Sequence, residues 1–249
     1  MPPLLELVHI SKRFGQVTIA EDLSLAVEEG AVLGIVGPNG AGKTTLFGVI
    51  SGDLRPDEGE VRFEGRVVNR LDAAARCRLG IGRTYQVPRP FGGLTVFENV
   101  LVAAQQGARA HGHESFEIAT GVLERTGLGA LANSSAGSLG LLARKRLELA
   151  RALATRPQLL LLDEIAGGLT DPEVRELVGI VQQATAEGVA VIWIEHVVRA
   201  LVATVQRLIC IAGGAVIGDG EPRAVLASPA VREVYLGTDT TVTGAVPAT

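Results

Sequence analysis

Aromatic residues make up only 4 % of the 249 residues, with a single tryptophan and a single methionine. Any core must be built mainly from Ala, Val and Leu. At 47 % apolar residues there are enough of them for a sizeable one, which excludes global disorder. Cysteine is scarce too, with only Cys77 and Cys210, far apart in the chain. That excludes a disulfide framework and predicts two reduced core thiols. No uninterrupted apolar run approaches the ~20 residues that span a bilayer. The run at residues 159–162 is far too short. The opening MPPLLELVHISKRF has no basic leader followed by an apolar stretch, so no signal peptide is expected. Excess positive charge is missing as well. A net charge of −4 argues against a nucleic-acid partner, which would favour a basic face. Any work at a membrane would have to be done by docking onto something else there.

Short apolar runs do alternate with helical patterns, which predicts an α/β fold. Residues 4–10, 23–27, 31–36 and 61–63 read as strands, and 43–51 as a helix. Residues 95–105, 116–126 and 144–154 read as helices with little strand between them, so a helical subdomain is expected over about 95–155. The runs at 159–163 and 189–194 are short and wholly apolar, as in strands buried on both faces of a parallel sheet. Residues 172–187 read as the helix between them. Residues 208–212 and 215–217 flank Gly213-Gly214 and read as a hairpin. One domain is expected over residues 1–237, with a small, polar, disordered tail at 238–249.

Gly37-Pro38-Asn39-Gly40-Ala41-Gly42-Lys43-Thr44 fits G-x-x-x-x-G-K-[ST] at every fixed position, between a strand and a helix. Glycines let a backbone wrap closely around phosphate oxygens with its N–H groups pointing inward. The helix start adds partial positive charge. In such a loop Lys43 reaches the β- and γ-phosphates of a nucleotide and Thr44 ligates Mg²⁺. Thr45 follows in the same first turn. Further on, Leu159-Leu160-Leu161-Leu162-Asp163-Glu164 is an apolar strand ending in two carboxylates, where open α/β sheets place ligand chemistry. Asp163 would hold the Mg²⁺, and Glu164 would orient or deprotonate an attacking water.

With these two motifs the chain resembles the ATP-binding subunits of ABC transporters, over about residues 4–237. The resemblance implies a P-loop NTPase (RecA-like) core, an antiparallel β subdomain and an inserted helical subdomain, with ATP and Mg²⁺ as cofactors. Phe14 in SKRFG stands where the family has an aromatic that stacks on adenine. Gln86 in GRTYQ matches the glutamine that reaches Mg²⁺ and the water, and His196 in VIWIEH matches the switch histidine at the γ-phosphate. The segment RTYQVPRPFGGLTVFENVLVA, together with WIEH and VREVYLG, is similar to the branched-chain amino acid importer branch. There, residues after the glutamine meet a short helix of the membrane subunit. Pro88, Pro90, Phe91 and Phe97 supply a stiff apolar surface suited to that role.

The chain departs from the family where a Leu-Ser-Gly-Gly-Gln signature is expected, 24 positions before Asp163. Here stand Leu139, Gly140, Leu141, Leu142 and Ala143. Family members pair head to tail, each ATP lying between one phosphate loop and the partner's signature. Gly140 has no hydroxyl to offer there, and Leu142 adds a branched side chain where backbone should come close. Ile165 replaces a usual proline, and Thr170 stands in place of an aspartate that reaches across the dimer. Motifs that act within one chain are intact; those that act across the interface are degraded.

The expectation is an ATP-hydrolysing subunit, cytoplasmic and peripheral on the inner face of the cell membrane, driving a permease for branched-chain or related amino acids. Its partners would be the permease subunits and a second ATP-binding subunit, a heterodimer being favoured, with a solute-binding protein involved indirectly. The alternatives are a non-transport ABC ATPase acting on nucleic acid or ribosomes, disfavoured by the negative charge and single cassette, and a binding-only regulatory subunit, disfavoured by intact Glu164 and His196.

Overall fold

The computed structural model describes residues 2–236, so the expected tail at 238–249 lies outside the described residues. The chain opens with a long hairpin of β1 (Leu5–Phe14) and β2 (Val17–Val27) and enters the central sheet at β3 (Val32–Val36). After α1 (Lys43–Ser51) it returns to the hairpin with β4 (Glu58–Phe63) and the short β5 (Arg66–Val67). This gives an antiparallel sheet of order β2-β1-β4-β5. Then α2 (Ala73–Leu79) leads to β6 (Ile81–Arg83). Three helices follow: α3 (Val96–Gln106), α4 (His113–Arg125) and α5 (Leu141–Ala154). The chain rejoins the central sheet through β7 (Leu159–Asp163), α6 (Asp171–Ala186), β8 (Ala190–Ile194), α7 (Val198–Val202), β9 (Arg207–Ala212) and β10 (Ala215–Gly220). Two helices, α8 (Pro222–Ala227) and α9 (Pro229–Leu236), close the described chain.

The central sheet has the order β10-β9-β3-β8-β7-β6, parallel except for the β10 edge. The central strands β3, β7 and β8 are buried at every position because both faces are covered. Leu33, Ile35, Leu159, Leu161, Ile192 and Ile194 point to the side of α1 and the antiparallel sheet, where they meet Phe47, Leu5 and Leu7. Their alternates Val32, Val36, Leu160, Leu162, Val191 and Trp193 point the other way, into the core shared with α5 and α6. Strands of this kind read clearly from sequence.

Two strand regions do not. The hairpin continues through residues 11–22, and β6 lies in a stretch for which the sequence predicts no element. Gly82 explains the second case. A Cβ there would lie 3.0 Å from Pro157 Cβ and 3.2 Å from the Ala152 carbonyl oxygen, so the strand passes too close to the end of α5 for a side chain.

Side chains cap some helix starts and glycines stand at others. Thr95 and Glu98 form a capping box on α3, as do Thr170 and Glu173 on α6. At α5 the cap is Gly140, which offers no side-chain acceptor. Among the described residues no helix is long and apolar enough to cross a membrane.

Candidate active site

The loop 37–42 joins β3 to α1 at the carboxyl end of the central sheet. Its glycines have neighbours as well as conformations to satisfy. At Gly37, φ is 153° and a Cβ would sit 2.1 Å from the Ile211 carbonyl oxygen; at Gly42, φ is 92° and a Cβ would sit 2.6 Å from that of Ile19. The loop is thus pressed between β9 and β2. Gly40, at φ 80°, has open space around it and needs glycine for its backbone angle alone. Pro38, Asn39 and Ala41 complete the wrap. The N–H groups of the first turn of α1 have no partners within the helix, and they start from Lys43, Thr44 and Thr45.

Lys43 is buried, and its ammonium donates to the Gly37 and Pro38 carbonyl oxygens at 2.7 and 2.9 Å. Burial lowers its pKa, opposed by the charges of Glu164 and Asp163. Asp163 ends β7 at 1 % exposure. Burial raises its pKa, with the Arg83 guanidinium acting the other way. Asp163 Oδ2 lies 3.5 Å from Arg83 Nη2, while Oδ1 is buried without a hydrogen-bond partner. A bare buried carboxylate oxygen is costly unless something positive meets it. It is a hard oxygen donor at the carboxyl end of the sheet. That suits Mg²⁺, which is held by one or two protein oxygens plus substrate phosphates. Among the described residues no cluster of three or more His, Cys, Asp or Glu could hold a metal.

Glu164, next in the chain, adopts φ 48°, a left-handed conformation uncommon for a residue with a side chain. Its carboxylate is gripped from both sides. His196 Nε2 lies 2.7 Å from Oε1, and Gln86 Nε2 donates to Oε2. Residues 86, 164 and 196 are thus brought to one point. The strands preceding them, β6, β7 and β8, are consecutive in the sheet, and β3 with its loop comes next.

Phe14 ends β1 as an exposed ring, 49 % accessible, with the Lys12 ammonium 5.3 Å from its centroid. Its hairpin touches the phosphate loop through Ile19. In the signature segment, Leu139 is buried, Gly140 caps α5, Leu141 is exposed, and Leu142 and Ala143 are half-buried. The last two line a cavity of about 450 Å³ with Leu128, Leu131 and Leu169. Of the docking candidates, Phe91 is exposed, with the Arg151 guanidinium 5.0 Å from its ring, and Pro88 and Pro90 are half-buried beside it. Phe97 turns instead toward α4, where its ring lies 5.6 Å from Phe116.

Some residues here were not singled out in the sequence. Tyr85 and Val87 extend the exposed apolar strip around Phe91. Arg83 links Asp163 to Asp53, at 2.7 Å, and to the Ser51 hydroxyl, at 3.0 Å. The only signal for it was its place in GRTYQ, three residues before Gln86.

The chain is similar to known proteins along most of its length. A family model described as ABC transporter matches residues 20–167. The high-affinity branched-chain amino acid transport ATP-binding protein BraF of Pseudomonas aeruginosa is 35 % identical over 250 residues, spanning 94 % of this chain and 98 % of that one. The lipopolysaccharide export system ATP-binding protein LptB of Acidithiobacillus ferridurans is 34 % identical, spanning 95 % and 98 %. Among solved structures, the ADP conformation of an ATP-binding cassette of an ABC transporter superposes with a TM-score of 0.87 at 32 % identity, covering 95 % of this chain and all of that one.

Proposed function

Because this chain belongs to the ABC transporter ATPases, we propose that it binds Mg-ATP, pairs with a second ATP-binding subunit and drives a membrane permease that takes up branched-chain or related amino acids. The observation that carries this reading is the Glu164 carboxylate held between Gln86 and His196 at the carboxyl end of the sheet that carries the phosphate loop. Similarity to a branched-chain amino acid transport protein over nearly the whole chain supports the solute class.

In this reading Lys43 exchanges the Gly37 and Pro38 carbonyls for β- and γ-phosphate oxygens, and the first-turn amides of α1 hold the same phosphates. Phe14 offers its exposed face to adenine. Thr44, Asp163 and Gln86 would hold Mg²⁺, which when bound neutralises charge building on the phosphates. Glu164 positions the attacking water and takes its proton. His196 keeps that carboxylate oriented and reaches the γ-phosphate. Little covalent chemistry is asked of the protein beyond this positioning. A Lys43→Ala variant of the full chain should lose most of its Mg-ATP affinity in equilibrium binding; undiminished affinity would overturn the site assignment.

The altered signature favours a heterodimer. Gly140 supplies no hydroxyl to donate to the partner's nucleotide. Donors aimed at developing phosphate charge are each worth ~10²–10³-fold in rate. A homodimer would carry two impaired sites. A heterodimer whose other subunit has an intact signature would keep one good site, built from this chain's Lys43, Asp163 and Glu164. In the reconstituted pair, Glu164→Gln should abolish most turnover, and the matching change in the partner much less. Equal losses, or brisk hydrolysis by this chain as a homodimer, would show that the altered signature works. The permease would seat on the strip of Tyr85, Val87, Pro88, Pro90 and Phe91, holding the chain on the inner face of the membrane.

A further inference from the structure

A buried cation and a buried carboxylate beside the site take no part in the chemistry above. Lys145, on the second turn of α5, is 6 % exposed, and its ammonium donates to the backbone carbonyl of Glu164 at 3.1 Å. Glu195 follows β8 at 1 % exposure. Its Oε2 accepts from the Ala166 amide at 2.9 Å, and its Oε1 from the amides of His196 at 3.0 Å and Val197 at 3.3 Å. Lysine and glutamate are almost never this deeply buried unless paired, and here the pairing is with backbone around Glu164 and His196. Burial lowers the Lys145 pKa, and the charges of Glu195 and Glu164 oppose that shift.

What the two side chains hold is specific. Glu164 stands in the left-handed region, and such a backbone persists only where its surroundings fix it. Its amide is fixed by the Ile194 carbonyl at 2.9 Å, its own carbonyl by Lys145. That turn of the backbone goes with the aim of its carboxylate at His196 and Gln86. Glu195 ties Ala166, two residues beyond Glu164, to the segment that begins with His196.

We propose that Lys145 and Glu195 are positioning residues that fasten the Glu164 turn and the His196 segment to each other and to α5. The catalytic carboxylate then moves with the helix whose first residues form the altered signature. Since that signature would face the partner's nucleotide, Lys145 is a direct mechanical link from one composite site to the other. The proposal rests on the reading of Glu164 as the water-handling carboxylate.

The test uses the full chain with its co-purifying subunits, and measures Mg-ATP binding, kcat, KM and melting for Lys145→Met, Lys145→Arg, Glu195→Gln and the Lys145→Met/Glu195→Gln double variant. Small misplacements of a reacting group cost about 10²-fold. Lys145→Met should therefore lower kcat by about that factor while Mg-ATP affinity and KM stay within about twofold. Lys145→Arg, which keeps the charge and the donors, should recover most of the loss. The double variant should be no worse than Lys145→Met, because both act through the same turn. A kcat within twofold of the unaltered protein, or an affinity loss equal to the loss in kcat, would overturn the proposal. If Lys145→Met melts early, Glu195→Gln preserves side-chain shape and carries the same test. Unimpaired turnover in Glu164→Gln would instead sink the underlying assignment.

Discussion

Replacing Asp163 with asparagine should stabilise the nucleotide-free protein while destroying its response to Mg-ATP. The side chain is almost wholly buried. One carboxylate oxygen has no partner, and the other is 3.5 Å from a guanidinium that is better paired with Asp53 at 2.7 Å. A buried, charged acceptor left without a partner costs about 1–3 kcal/mol or more. The amide of Asp163→Asn would remove the charge but keep one poorly matched polar end, so a net gain of about 1–2 kcal/mol is expected. For a chain of this size each kcal/mol moves Tm by about 2–4 °C, giving a rise of about 2–8 °C. Arg83 keeps Asp53 and the Ser51 hydroxyl, so its loss is small. Adding Mg-ATP at about 100 times its Kd should stabilise the unaltered protein by about 2.7 kcal/mol and reverse the order. Thermal unfolding with and without Mg-ATP measures both effects. A lower Tm for Asp163→Asn without nucleotide would show that the carboxylate is well compensated in the fold, and an undiminished Mg-ATP response would show that it is not a metal ligand.

Phe91→Asp should abolish transport by the assembled complex while Mg-ATP binding by the isolated chain is unchanged, because an unpaired charge buried on docking is costly; normal transport would place the docking surface elsewhere. Glu148 gives a pH dependence. It is buried, and burial raises its pKa above the ordinary 4.5 despite Arg151 beside it. A carboxyl with a raised folded pKa contributes most to stability below its unfolded value, and that contribution is lost as pH rises through the folded one. The Tm of Glu148→Gln minus that of the unaltered protein should therefore grow more positive from about pH 4.5 upward. A difference that stays flat with pH would refute it.

Some parts of this molecule were legible in sequence because their physics is local. The phosphate loop is contiguous, and β3, β7 and β8 are apolar along their length because helices or a second sheet cover both faces. The turn at Gly213-Gly214 marks the β9–β10 hairpin. Other parts depend on distant residues. The extension of β1 past Ile10 is polar, and it is secured by Asp57, which accepts from the Lys12 ammonium and the Arg13 amide, both at 2.7 Å. Nothing near residue 12 announces that. The three catalytic candidates were found by motif, but not what steadies them. A glutamate before a histidine at a strand end reads as solvated, and only the fold shows Glu195 enclosed by three amides. Lys145 likewise reads as one more cation on a basic helix face until its ammonium is seen on the Glu164 carbonyl.

The order of strands in the central sheet also has a kinetic consequence. The phosphate loop follows β3, whereas His196 follows β8, and the ladder that brings them together pairs Val32 with Val191. Contacts this distant in sequence form late, since chain entropy must be lost before they bring any reward. A polypeptide still emerging from the ribosome exposes its glycine loop early, yet lacks β8 until residue 194 has been made. On the roles proposed for Glu164 and His196, a truncated product ending before residue 190 should keep the phosphate loop but show no ATP turnover.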